Sequence, residues 1–163
     1  MTIPRTLTGL TLAAAIISLA PTAAQAASGT TATGAAAVRP WGPYYASGNS
    51  AKALGSLTAT GEDHADIPAA RTVNISGKVY DQTRATASCG WAVFRITYRD
   101  ASNNLPFKHH SVRTCAYRTA KPFSFSYGNV YQVELKVCSE GKAAKPSLNC
   151  LYAGTWKLLY LSK

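Results

Sequence analysis

Residues 89–118, CGWAVFRITYRDASNNLPFKHHSVRTCAYR, decide the fold. Two alternating runs flank the polar stretch 100–104, the pattern of two antiparallel strands around a short turn. Setting Asp100 opposite Asn104 makes Cys89 face Cys115, where antiparallel Cα spacings of roughly 4.5–5.5 Å fall within disulfide range. The same register sorts the side chains by face. Ala92, Phe94, Ile96, Tyr98 and Val112 share one face, expected to be the core face. Trp91, Arg95, Arg99, His109 and Arg113 share the other, a basic face with one aromatic ring.

Working outward, residues 122–127 alternate with Phe123, Phe125 and Tyr127 inward. Gly128-Asn129 is a two-residue hairpin signal. Residues 130–138 answer it, with Tyr131, Val133, Leu135 and Val137 on one face. A polar loop, 139–149, joins Cys138 to Cys150, and 151–161 reads as the last strand. A bulge at Gly154 would carry Trp156 onto the core face. On the other side, 72–80 alternates most clearly, with Val73, Ile75 and Val79 facing one way, and 51–60 reads as a weaker strand. About seven strands at regular spacing, with no convincing helix after the leader, predict an all-β fold: an antiparallel sandwich of immunoglobulin-like architecture.

The first 26 residues have the form of a secretory signal, with Arg5, an apolar run over 10–20 and Ala24-Gln25-Ala26 as a cleavage site. Residues 27–45 read as a flexible arm, and 46–163 as a single exported β-sandwich domain. The arm ends in Arg39-Pro-Trp-Gly-Pro-Tyr-Tyr45, where Trp41, Tyr44 and Tyr45 form either an aromatic platform or a plug for one end of the domain. Losing Arg5 with the leader takes Lys plus Arg from 17 to 16 against seven acids, a net charge of +9. Four cysteines in an exported chain of this size are most simply two disulfides. Cys89–Cys115 follows from the hairpin register, and Cys138–Cys150 from flanking one loop. An immunoglobulin-like strand order would also allow Cys89–Cys138, so the pairing stays open.

The leader, the segments GKVYD (77–81), CGWAVF (89–94) and AGTWK (153–157), and the central basic hairpin together resemble small exported actinobacterial β-domain proteins of unassigned activity. The resemblance spans Gly77 to Lys157. It implies an exported single β domain and carries no catalytic residues.

Recognised catalytic and nucleotide-binding motifs are absent from the sequence. His109 and His110, adjacent on a strand, point to opposite faces and cannot chelate one ion together. Glu62, Asp63, His64 and Asp66 lack the spacing of a calcium loop, so 61–66 reads as solvated. The expectation is therefore a monomeric, non-catalytic protein without metal or cofactor. Its first expected role is to bind an anionic extracellular or cell-wall polymer through Trp91, Arg95, Arg99, His109 and Arg113, with Trp41, Tyr44 and Tyr45 as a second aromatic site. A different class of role is a secreted protease inhibitor that offers the bond between Lys142 and Ala143 from the disulfide-braced loop. The plainest alternative is that the basic face has no ligand and its charge serves solubility.

Overall fold

The computed structural model describes residues 36–163; the leader expected over 1–26 and the start of the expected arm, 27–35, lie outside the described residues. In chain order the strands are β1 (Arg39–Tyr45), β2 (Ala51–Glu62), β3 (Ala70–Asp81), β4 (Ser88–Tyr98), β5 (Phe107–Thr114), β6 (Lys121–Gly141) and β7 (Lys157–Leu161). One short helix, α1 (Leu148–Tyr152), precedes β7. The strands pair antiparallel in one sheet ordered β1-β2-β3-β6-β4-β5, with β7 also on β6.

The β4–β5 hairpin keeps the register its sequence sets, from Gly90 opposite Thr114 to Thr97 opposite Phe107. Asp100 N donates to Asn104 O at 3.0 Å and closes the turn. Ala92, Phe94, Ile96 and Val112 enter the main core, while Tyr98 is half-buried with the Lys108 ammonium over its ring. Both disulfides form, Cys89–Cys115 and Cys138–Cys150.

The expected hairpin at Gly128-Asn129 is not a turn. β6 runs unbroken for 21 residues. Its first half pairs with β3, from Val79 opposite Lys121 to Ala70 opposite Val130. Its second half pairs with β4 on one edge and β7 on the other. Asn129, at φ 53°, bends the strand where its partner changes, and its carbonyl accepts from Arg99 N at 2.8 Å. This bend and the irregularity opposite Thr97 reset the alternation, so Val130 is fully buried and Tyr131 only half-buried. The expected all-β antiparallel fold is therefore present as one hydrogen-bonded ladder in which both halves share β6. Phe123, Phe125 and Tyr127 pack against the same cluster as Val133 and Leu135, so both halves of β6 serve one core.

Residues 39–45 belong to the domain and not to the flexible arm expected over 27–45. β1 pairs along β2 with a bulge between Trp41 and Tyr44, and Trp41 is 7 % exposed. The reason lies in two glycines. Trp41 faces Gly55 on β2, which in turn faces Gly77 on β3. A Cβ on Gly55 or Gly77 would come within 2.5 or 3.0 Å of Trp41 Cζ2, so the missing side chains make room for the indole. The ring then lies edge-to-face on Phe94 at 5.9 Å and stacked on Phe123 at 6.3 Å. An aromatic of this size dominates the burial at its position, which fixes the strand.

The last strand is also shorter than expected. Ser147 caps α1 by accepting from Cys150 N, and the Cys138 disulfide holds that helix to β6. The irregularity in β7 lies between Leu158 and Tyr160, not at Gly154, and Trp156 packs on a second cluster with Cys89, Trp91, Val93 and Cys150.

Candidate binding face

The register of β4, β5 and β6 builds the face opposite the main core row by row. Arg95 stands between His109 on β5 and Glu134 on β6; Val93 between Ser111 and Lys136; Trp91 between Arg113 and Cys138. The face is not open along its length. α1 and the residues after it lie over the Trp91 end, so Trp91 is 2 % exposed and has no part in a free surface. Arg113 lies over the Trp91 ring at 5.4 Å and donates to the carbonyl of Ala143.

Arg99 does not join the others. It follows the irregularity at the end of β4 and binds the 63–67 loop, donating to Ile67 O and pairing with Asp63. The Ala69 N–H and then the Arg99 guanidinium hold the Asp63 carboxyl down at about 2. The loop is exposed over 63–66, as expected of a solvated loop, and is also tied down, with Glu62 accepting from the Tyr160 hydroxyl and His64 Nδ1 bonded to Lys163 O. Among the described residues no group of three or more His, Cys, Asp or Glu could hold a metal ion.

What remains open is the Phe107 end, and it centres on Trp156. Arg95 lies 4.7 Å and Lys136 4.9 Å from that ring, and His109 stacks parallel to it at 5.8 Å. His109 also meets Phe107 edge-on at 5.3 Å and Tyr152 at 5.9 Å. Phe107 and Tyr152 are well exposed, at 50 % and 63 %. Arg95 forms an ion pair with Glu134 at 2.6 Å while lying over Phe107 as well. Lys136 is nearly buried and donates to Ala153 O. Burial first, then the Arg95 and Lys136 charges, lower the His109 pKa. Burial and Arg95 lower that of Lys136. His110, on the opposite face, stacks on Phe125 at 3.8 Å.

Of the five residues expected on this face, Arg95 and His109 come together at the open end; Trp91, Arg99 and Arg113 do not. The Trp41–Tyr44–Tyr45 platform does not form either: Trp41 is core, Tyr44 packs against it and only Tyr45 is exposed. Phe107, Lys136, Tyr152 and Trp156 escaped the sequence reading. Lys136 and Glu134 share a face with Cys138 by alternation, a signal present in the sequence but unusable without the β4–β6 pairing. Lys142 and Ala143 are exposed, but Lys142 N donates to Ala87 O at 3.0 Å, and with Arg113 on the Ala143 carbonyl the bond is held to the body of the domain.

Among the described residues nine cation–ring contacts stand beside two ion pairs, so most of the positive charge is not cancelled by carboxylates. No protein-family model, curated protein or solved structure matches the chain.

Proposed function

We propose that the chain is an exported, non-catalytic binding module for an anionic extracellular or cell-wall polymer, acting through Phe107, Arg95, His109, Tyr152 and Trp156. Two disulfides fit an oxidising compartment, and no helix of the described residues is long and apolar enough to cross a membrane. One observation carries the reading: exposed Phe107 and Tyr152 rings flank the His109 imidazole, and the Arg95 guanidinium lies over Phe107. Flat rings stack on sugar faces, and guanidinium meets acidic groups with directed hydrogen bonds. The protease-inhibitor reading comes second, because no observation favours it beyond an exposed Lys142–Ala143 segment whose backbone is hydrogen-bonded to the domain.

Co-sedimentation with purified cell wall, chitin and cellulose tests the proposal. Binding to wall is expected at low salt and should disappear as salt rises through about 0.5 M, since exposed charges are screened. Phe107→Ala combined with Tyr152→Ala should weaken it about tenfold or more, as expected for two exposed aromatic anchors. Equal binding to the neutral polymers, or wall binding indifferent to the double variant, would overturn the assignment.

A further inference from the structure

A second cationic group lies away from the Trp156 face. β1, β2 and β3 set Tyr45, Lys52 and Tyr80 side by side on the same side of the sheet. Lys52 lies 4.4 Å from the Tyr80 ring centre. Across a hollow of about 300 Å³, lined by Lys52, Tyr80 and Gln82, stands Arg118. Its guanidinium rests on Tyr117 at 5.2 Å. Arg84 rests on the same ring at 5.5 Å and donates from Nε to the Tyr117 hydroxyl.

The frame around this group is fixed. Arg118 has φ 54°, a conformation disfavoured for a residue with a Cβ. It is held there by three restraints. Arg118 N donates to Asp81 O at 2.7 Å, Tyr117 bridges Asp81, and Cys115, three residues earlier, is tied to Cys89. The Asp81 carboxylate is 1 % exposed, and its Oδ1 accepts from both the N–H and the hydroxyl of Thr83. It faces its own turn and neutralises none of the three cations. Gln82 turns Oε1 inward, where it has no protein partner, so its amide nitrogen is the group left for the hollow. Lys52 and Arg118 bring donors to the hollow, the Tyr80 hydroxyl can donate or accept, and no carboxylate is among the lining residues.

We infer that Lys52, Gln82 and Arg118, backed by Arg84 on Tyr117, form an oxyanion seat that takes the phosphate or sulfate group of a ligand. A hollow lined by one ammonium and one guanidinium, with no carboxylate among its lining residues, suits a tetrahedral oxyanion, a ligand group that accepts hydrogen bonds and carries negative charge. The tyrosine rings hold the cations in place without cancelling their charge. The seat shares no residue with the Trp156 face, so either can fail while the other stands.

The test is NMR titration of the disulfide-bonded chain with sodium phosphate, sodium sulfate and sodium chloride at matched ionic strength, following the Gln82 amide and Arg118 guanidinium signals. Saturable shifts with phosphate or sulfate and none with chloride are expected. Response to phosphate alone assigns a phosphate ester, to sulfate alone a sulfate ester, and to both a seat open to either. Lys52→Gln and Arg118→Gln should each weaken the response about tenfold, while the Phe107→Ala, Tyr152→Ala double variant leaves it unchanged. Shifts that are linear and equal in all three salts, or saturable binding that survives both substitutions, would overturn the seat.

Discussion

Tyr160 shows how one side chain settles the fate of a loop. Its ring is 2 % exposed in the core, while its hydroxyl reaches Glu62 at the end of β2. Burial first, and then that hydrogen bond, push the phenol up to about 12. A folded value above the unfolded one, about 10, means that the neutral hydroxyl stabilises the fold fully below pH 10. This contribution is lost as pH rises towards 12. Tyr160→Phe should cost about 1.5–3 kcal/mol at pH 7, the worth of a hydrogen bond to a charged group. It should also flatten the fall in melting temperature between pH 10 and 12. Thermal melts of both chains across that range check it; parallel curves would show that Tyr160 is not the group responsible.

Among the elements, β6 and the Trp41 bay are where sequence and structure diverge most. The 89–118 hairpin was legible because alternation, a central polar turn and two cysteines all set one register. β6 was misread because Gly-Asn is a strong local hairpin signal, whereas pairing with β3 and β4 is decided by burial of distant residues. β1 was missed because Trp41 needs the space above Gly55 and Gly77, and nothing local announces two glycines meeting across strands. The candidate face was half legible for a related reason: alternation found Arg95 and His109, but the helix that covers Trp91 and delivers Trp156 follows from the Cys138–Cys150 link. Two alanine substitutions separate these accounts. Gly55→Ala drives a Cβ into the Ser76 carbonyl and the Trp41 ring, and should cost about 1–3 kcal/mol or more through overpacking. Gly128 has ordinary φ, and its added Cβ meets only the Arg71 carbonyl at 3.4 Å. Gly128→Ala should therefore stay within about 0.5 kcal/mol in urea unfolding. A two-residue hairpin demanding positive φ there would suffer far more.

At the scale of the whole molecule, charge outweighs acid by 17 to 7, and the face around Trp156 adds a titrating group to that surplus. His109 is faced by Arg95 from β4, Lys136 and Glu134 from β6, and the rings of Tyr152 and Trp156. Its pKa lies below the ordinary 6.5, so it is mostly neutral at pH 7. The stability that goes with the neutral ring is complete above 6.5 and is lost as pH falls through the lowered value. Over the same fall the face gains a positive charge. Wall binding should therefore tighten on acidification below pH 6.5, and His109→Gln should remove that part of the pH dependence. Co-sedimentation of both chains between pH 7.5 and 5 measures it; an identical rise in the variant would place the titrating group elsewhere.

The single strand common to both halves of the sheet also inverts the usual advice on where this chain can be interrupted. Residues 128–129 look like the natural site for a tag, a protease site or new termini, since the local sequence reads as a surface turn. A break there would interrupt the one strand that pairs with both β3 and β4, and with it the ladder through which the two sides share a core. The turn at 101–104 is exposed, closed by its own hydrogen bonds and crossed by no third strand. Engineering that treats the molecule as two hairpins will cut its backbone of cooperativity; engineering that treats it as one continuous ribbon will leave that backbone whole.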